Sequence, residues 1–336
     1  MGLRLRNRLP QQRNAGEELF LPRALAGPAY QSLRIILIGV VDYFWLFSLL
    51  APAFLAVSNI VDNHILHARL KDAVSYDVLT TWFTLPVAVV IFLATKVSFA
   101  FEAWFVGTTV GFSFAFLFIL YNVAMMKEQG TNVVSVMYIS PLFVAILALV
   151  FLGERLSAAN YAGILLLIAS AFLVLYKRID AKNLALGMIL VNALASAVAR
   201  VVTKSTLEGV DVWSYFFWVL VGGLLGSIVL ASVWHRNLGA AVRKLDAPVL
   251  LLIVTTTAFS TLGIVLLYSA FSYGSVTLAS GLTAVQPSLV FLYSAVLLRF
   301  RPAAIPPERI AGGLADVRKV GAVLLIIVGV LALTGT

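Results

Sequence analysis

Residues 58–68 read SNIVDNHILHA, inside a run that is otherwise apolar from Ile35 to Leu66. Two asparagines, an aspartate and two histidines are unsuited to an apolar surface. A helix advances about 100° per residue, so Asn59, Asp62 and Asn63 share one face, with His67 near it and His64 pointing elsewhere. A second polar stripe, Asn192, Ser196, Arg200 and Thr203, crosses the apolar run 183–205. An ionisable side chain within such a run marks a functional site by default. Asp62 can take up and release a proton, or it can attract a cation. Arg200 suits a carboxylate or phosphate, which its planar fork binds in bidentate fashion. The two can also satisfy each other as a buried ion pair. The plainer readings place His64 and His67 at a polar interface and let Arg200 snorkel to one.

The elements that carry these stripes follow from composition. The chain is 61% hydrophobic and 12% charged, with a mean hydropathy of +1.01. A soluble domain carries about 25% charged residues. The apolar runs are long and continuous, so this is an all-α integral membrane protein whose spans are helices, which satisfy their own backbone hydrogen bonds. The net charge of +9 belongs to loops and reports orientation, not nucleic-acid binding. There is no cysteine, which excludes disulfides and thiolate metal sites. The first apolar run is too long for a secretory leader, and Ala51-Pro52-Ala53 is a poor cleavage site. A phosphate-binding glycine loop, a His-Glu-x-x-His pair, a carboxylate cluster with metal spacing and a Ser/His/Asp arrangement are all missing from the sequence. The expectation is a non-enzyme with no cofactor and no metal.

Ten spans of roughly the required 20 residues fall near 47–66, 77–96, 103–126, 132–152, 157–176, 183–205, 212–234, 247–270, 276–298 and 317–335. A basic tail, 1–34, and an extra apolar helix, 35–47, precede them. That extra segment is either interfacial or a further span that turns back at Ala51-Pro52-Ala53. The halves repeat. YISPLFVAILALVFLGER at 138–155 aligns with AVQPSLVFLYSAVLLRFR at 284–301, which superposes Pro141 on Pro287 and Arg155 on Arg301. A weaker alignment makes Asp62 and Arg200 counterparts. Five spans per half, in 48–178 and 182–336, give an inverted-topology repeat, because an odd number reverses the second copy.

The segment SPLFVAILALVFLGERLSAANYAG at 140–163 and the two five-span halves resemble the EamA-like branch of the drug/metabolite transporter superfamily. The resemblance covers about residues 47–335. The second copy is degraded, with Phe300 where the first has Glu154, so Glu154 and Arg155 read as a charged turn at the membrane surface. The resemblance implies a secondary transporter that moves an amino acid, amine or drug-like solute by alternating access, exporting it, with a proton as a candidate coupling ion. It places the protein in the plasma membrane, the bacterial inner membrane. Its partners are then a small solute and the bilayer. A lipid head-group flippase is the alternative.

On this reading the cavity is lined by Asn59, Asp62, Asn63, Tyr138, Asn192, Ser196, Arg200 and Gln286. Trp82, Tyr121, Trp218 and Tyr268 add aromatic walls, or else belong to interfacial belts. Pro141 and Pro287 serve as hinges, since proline frees a helical carbonyl. Lys and Arg concentrate in the connections after the first, third, fifth, seventh and ninth spans, which makes those connections cytoplasmic. The basic tail then sits outside in a ten-span chain and inside in an eleven-span one, whereas the resemblance implies ten spans with both termini cytoplasmic. Gly107-xxx-Gly111 and Gly222-xxx-Gly226 let helices approach closely, most simply within the chain.

Overall fold

A computed structural model of the chain describes residues 28–127, 137–174, 184–300 and 317–334. The expectations for the tail 1–27 and for Lys177, Arg178, Lys182, Arg301 and Arg309 lie outside the described residues. The chain divides into two compact units, 1–40 and 41–336. In the first, residues 28–40 are helical. The site lies wholly in the second.

Helix α1 runs over Pro28–Ile65, with Pro52 inside it. A turn at Ala51-Pro52-Ala53 is therefore not formed, and residues 35–47 are not a separate helix. Two crossings need roughly 40 residues at 1.5 Å each, more than this stretch offers, and a membrane helix tolerates an internal proline. A π turn, Leu66–Leu70, ends the helix at Lys71, which takes a left-handed φ of 52°. The next span is broken: α2 (Ala73–Trp82) and α3 (Leu85–Ala94) meet at Phe83–Thr84. Pro86 lies in the first turn of α3, where its missing N–H is no loss.

Another π turn, Glu102–Val106, opens α4 (Gly107–Lys127). It is followed by α5 (Ser140–Phe151), α6 (Ala158–Val174), α7 (Leu184–Leu207), α8 (Val212–Val233), the short α9 (His235–Val242) and α10 (Ala247–Tyr273). Asp211 and Asp246 cap α8 and α10, each accepting at 2.9 Å from the backbone N–H three residues on. The chain then forms α11 (Val276–Leu282), a 3-10 turn at Thr283–Val285, α12 (Gln286–Phe300) and α13 (Val317–Thr334).

Seven of these helical stretches are long and apolar enough to cross a membrane, and Ser140–Phe151, Ala158–Ser170 and Leu324–Thr334 are shorter apolar helices. Large apolar side chains such as Leu93 (77% exposed), Phe151 (72%) and Val233 (73%) point outward, as a bilayer solvent allows.

Two close crossings join sequence-distant helices. A Cβ on Gly111 of α4 would lie 1.9 Å from the Val219 carbonyl of α8, and one on Gly222 would lie 2.1 Å from the Thr108 carbonyl. Gly163 of α6 and Gly329 of α13 meet in the same way, with a Cβ on Gly163 only 2.8 Å from the Gly329 carbonyl. Glycine is what permits the backbones to touch at these points.

The loop contacts also pair in a pattern. Trp234, after α8, donates to Asp72, after α1, at 3.1 Å. Ser98, after α3, donates its N–H to Ser214 at 2.8 Å and accepts from Trp218 at 2.9 Å. Glu154, after α5, reaches the start of α11. Its carboxylate accepts from Ser275 Oγ (2.8 Å), the Val276 N–H (3.0 Å), and the Thr277 hydroxyl (2.7 Å) and N–H (3.3 Å). The expected charged surface turn is thus also a cap: Glu154 satisfies the free amides of another helix.

Candidate functional site

The helices enclose a cavity of about 330 Å³, within the range of small-molecule pockets. Its walls come from α1, α2, α4, α5, α7, α8 and α10, and from the turn between α11 and α12. Helix junctions open onto it, among them Thr84 between α2 and α3. Tyr138, Ser140 and Pro141 line it where α5 begins, and Thr283 and Gln286 line it where α12 begins. Pro141 and Pro287 each stand at the second position of a helix that follows a break. Discontinuous helices of this kind expose backbone groups to a cavity rather than to lipid.

Asp62 lies at the centre of a hydroxyl cluster. Tyr76 of α2 and Thr256 of α10 donate to one carboxylate oxygen, and Ser58 donates to the other at 3.2 Å. Ser58 and Thr256 also meet directly at 2.9 Å. Three helices are tied through one carboxylate, which low-dielectric surroundings make energetically consequential.

Arg200 of α7 reaches Thr283 Oγ1 at 3.5 Å, and Tyr138 and Tyr268 share its part of the wall. The expected Asp62–Arg200 ion pair is not formed. Neighbouring hydroxyls take up the acceptors of Asp62, and among the described residues the ion pair is Lys204–Glu208 at 3.9 Å. The cavity thus presents a guanidinium and carboxylates as separate groups.

The sequence of this chain is matched twice by the sequence model of the EamA-like transporter family, over residues 43–176 and 183–305. The chain belongs to that family. This EamA-like protein is accordingly a member of the drug/metabolite transporter superfamily, a membrane transporter and not an enzyme. No curated protein sequence matches it. Among solved structures, one crystal structure shares its fold at 19% identity and a TM-score of 0.61, covering 88% of this chain and 96% of that one.

Of the residues singled out by sequence, Asn59, Asp62, Tyr121, Tyr138, Asn192, Ser196, Arg200, Tyr268 and Gln286 line the cavity of this EamA-like protein. Asn63 does not. It is buried, and its carbonyl meets His67 Nδ1 at 3.0 Å. The cavity faces a narrower arc of α1 than the helical period allowed. Trp82 and Trp218 are not lining residues either. Trp82 is 39% exposed and donates to Ser227 at 3.1 Å, while Trp218 packs edge-on to Phe99 at 5.3 Å. Trp218, near the start of α8 and bonded to the Ser98 carbonyl, fits a belt residue, whereas Trp82 stands mid-way along the span 73–94.

Sequence reasoning missed two walls. On α2 they are Tyr76, Asp77, Thr80 and Thr81, with Thr84 at the break that follows, and on α10 Thr256, Thr257, Ser260 and Thr261. The same helical period would have found both, as Asp77, Thr80, Thr81 and Thr84 are spaced i, i+3, i+4, i+7.

Proposed function

We propose that this protein is a secondary active transporter that moves a small metabolite (an amino acid, amine or drug-like solute) by alternating access. It uses ten spans arranged as two inverted five-helix repeats. The observation that carries this reading is the cavity itself, a largely apolar space into which a few charged and hydroxyl side chains converge. Asp62 contributes from the first half and Arg200 from the second, and the starts of α5 and α12 line the same space. Binding at a repeat interface near the midplane, beside broken helices, is the arrangement that lets two halves rock about a fixed site. With no ATP-binding loop in the sequence, an ion gradient supplies the drive, and export is the favoured direction. The basic connections, Arg69 and Lys71 after α1 and Arg236, Arg243 and Lys244 after α8, face the cytoplasm of a plasma membrane, the bacterial inner membrane. The site comprises Asn59, Asp62, Tyr138, Asn192, Ser196, Arg200 and Gln286. No particular observation favours the flippase alternative.

The test is flux in proteoliposomes, using solutes first selected by thermal shift of the purified protein. A ligand at a hundredfold excess over its Kd stabilises by about 2.7 kcal/mol. A selected solute should accumulate against its gradient in wild-type vesicles, and Asp62→Asn should abolish or uncouple that flux while the protein still inserts. Undiminished gradient-driven flux in Asp62→Asn would sink the assignment of Asp62.

A further inference from the structure

We infer that Asp77 is the cavity's binding group for a positive charge, distinct from Asp62. This inference rests on the transporter reading and names the chemistry that the site accepts. Both carboxylate oxygens of Asp62 already accept from protein hydroxyls, those of Ser58, Tyr76 and Thr256. Asp77, one residue beyond Tyr76 on α2, differs sharply. It is only 4% exposed, it lines the cavity, and its Oδ2 is buried with no hydrogen-bond partner among the described residues.

Buried charged groups are paired or coordinated as a rule, because an unpaired carboxylate loses its hydration without recompense. In an apolar membrane helix that requirement is stricter still, and an ionisable residue there faces a pathway. Asp77 lines the cavity, so a partner can reach it there. A cationic group is what a carboxylate oxygen without a donor accepts best. Thr80 and Thr81, one turn further along α2, also line the cavity and bring neutral oxygens to the same wall. The positive charge can belong to an ammonium group on the transported solute or to a free monovalent cation that travels with it. The chemistry at Asp77 is the same in both cases.

Asp77→Asn is the appropriate change, because it keeps the shape and removes no hydrogen bond. Wild-type protein and Asp77→Asn in lipid nanodiscs are titrated with methylammonium chloride and, separately, sodium chloride. Total chloride is held constant with choline chloride, and the unfolding midpoint is followed. Stabilisation by methylammonium that weakens at least about tenfold in apparent affinity in Asp77→Asn assigns the site to an ammonium group of the solute. The same result with sodium assigns it to a co-transported cation. No response of the wild type to either salt overturns the inference, and so does an equal response in the variant.

Should Asp77→Asn not insert, wild-type protein is treated with dicyclohexylcarbodiimide and its peptides are weighed. Protection of Asp77 by either cation supports the site, and modification that neither cation changes overturns it. Wild-type flux separates this inference from the transporter reading. Flux with an unaltered Asp77→Asn response removes only the role of Asp77, and cation binding without any flux removes only the transport.

Discussion

At the scale of single residues, hydrogen-bond satisfaction separates groups that look alike in sequence. Asp62 and Asp77 are both aspartates in apolar helices, yet one accepts from three hydroxyls and the other has an oxygen with no donor among the described residues. Asp62→Ala should therefore leave the Tyr76 and Thr256 hydroxyls without their shared acceptor. We expect it to destabilise the protein by roughly 1–3 kcal/mol, visible as a lower unfolding midpoint in detergent. Arg200 has a different profile. Its hydrogen bond to Thr283, the one it makes among the described residues, is long at 3.5 Å, so Arg200→Gln should change stability little. It should abolish the thermal shift produced by carboxylate- or phosphate-bearing ligands. An anionic ligand that stabilises Arg200→Gln as well as wild type would remove Arg200 from the site.

At the scale of elements, backbone contact and capping hold the helices around the cavity. The α4–α8 crossing has no room for a side chain, since a Cβ on Gly111 would overlap the Val219 carbonyl. Gly111→Leu should separate the two helices and destabilise by about 1–3 kcal/mol or more, measured as a lower midpoint and reduced yield of folded protein. Gly239, around whose Cβ position nothing lies within 4 Å, is the control and should accept alanine. Glu154 acts at the same scale. Its carboxylate caps α11 with four hydrogen bonds, so Glu154→Ala should cost about 0.5–2 kcal/mol, as the loss of a cap does. A Glu154→Ala midpoint equal to wild type would show that Ser275, which caps the same helix through the Leu278 N–H at 3.1 Å, suffices alone.

At the scale of the whole molecule, the loop contacts sort into two sets. Asp72 with Trp234 joins the connections after α1 and α8. Ser98 with Ser214, and Glu154 with Ser275, join connections of the other parity. If the basic connections are cytoplasmic, these sets lie on opposite sides of the membrane. The chain has no cysteine, so single introduced cysteines report without background. Lys71→Cys and Arg236→Cys should react with a membrane-impermeant maleimide only from the cytoplasmic side, and Ser157→Cys and Glu208→Cys only from the opposite side. All four positions are exposed. Labelling of Lys71→Cys and Glu208→Cys from the same side would refute the topology.

The sequence by itself determined what depends on local period and on the solvent. Continuous apolar runs required membrane helices, and the stripe at Asn59 and Asp62 and that at Asn192, Ser196 and Arg200 followed from 3.6 residues per turn. The motif at 140–163 pointed to the family. What only the tertiary structure decided depends on which helix faces which. Periodicity places Asn63 beside Asp62 on α1, but the neighbours of that helix decide that one lines the cavity and the other is buried against protein. The partners of Asp62 are a tyrosine 14 residues away and a threonine 194 residues away, and no pattern in a single helix contains them. Arg200 was the obvious counter-ion by charge, but geometry gave that place to hydroxyls. A side chain's partners are set by the packing of helices distant in the chain, and that packing is fixed by backbone contacts such as Gly111 against Val219, which helical periodicity alone cannot locate.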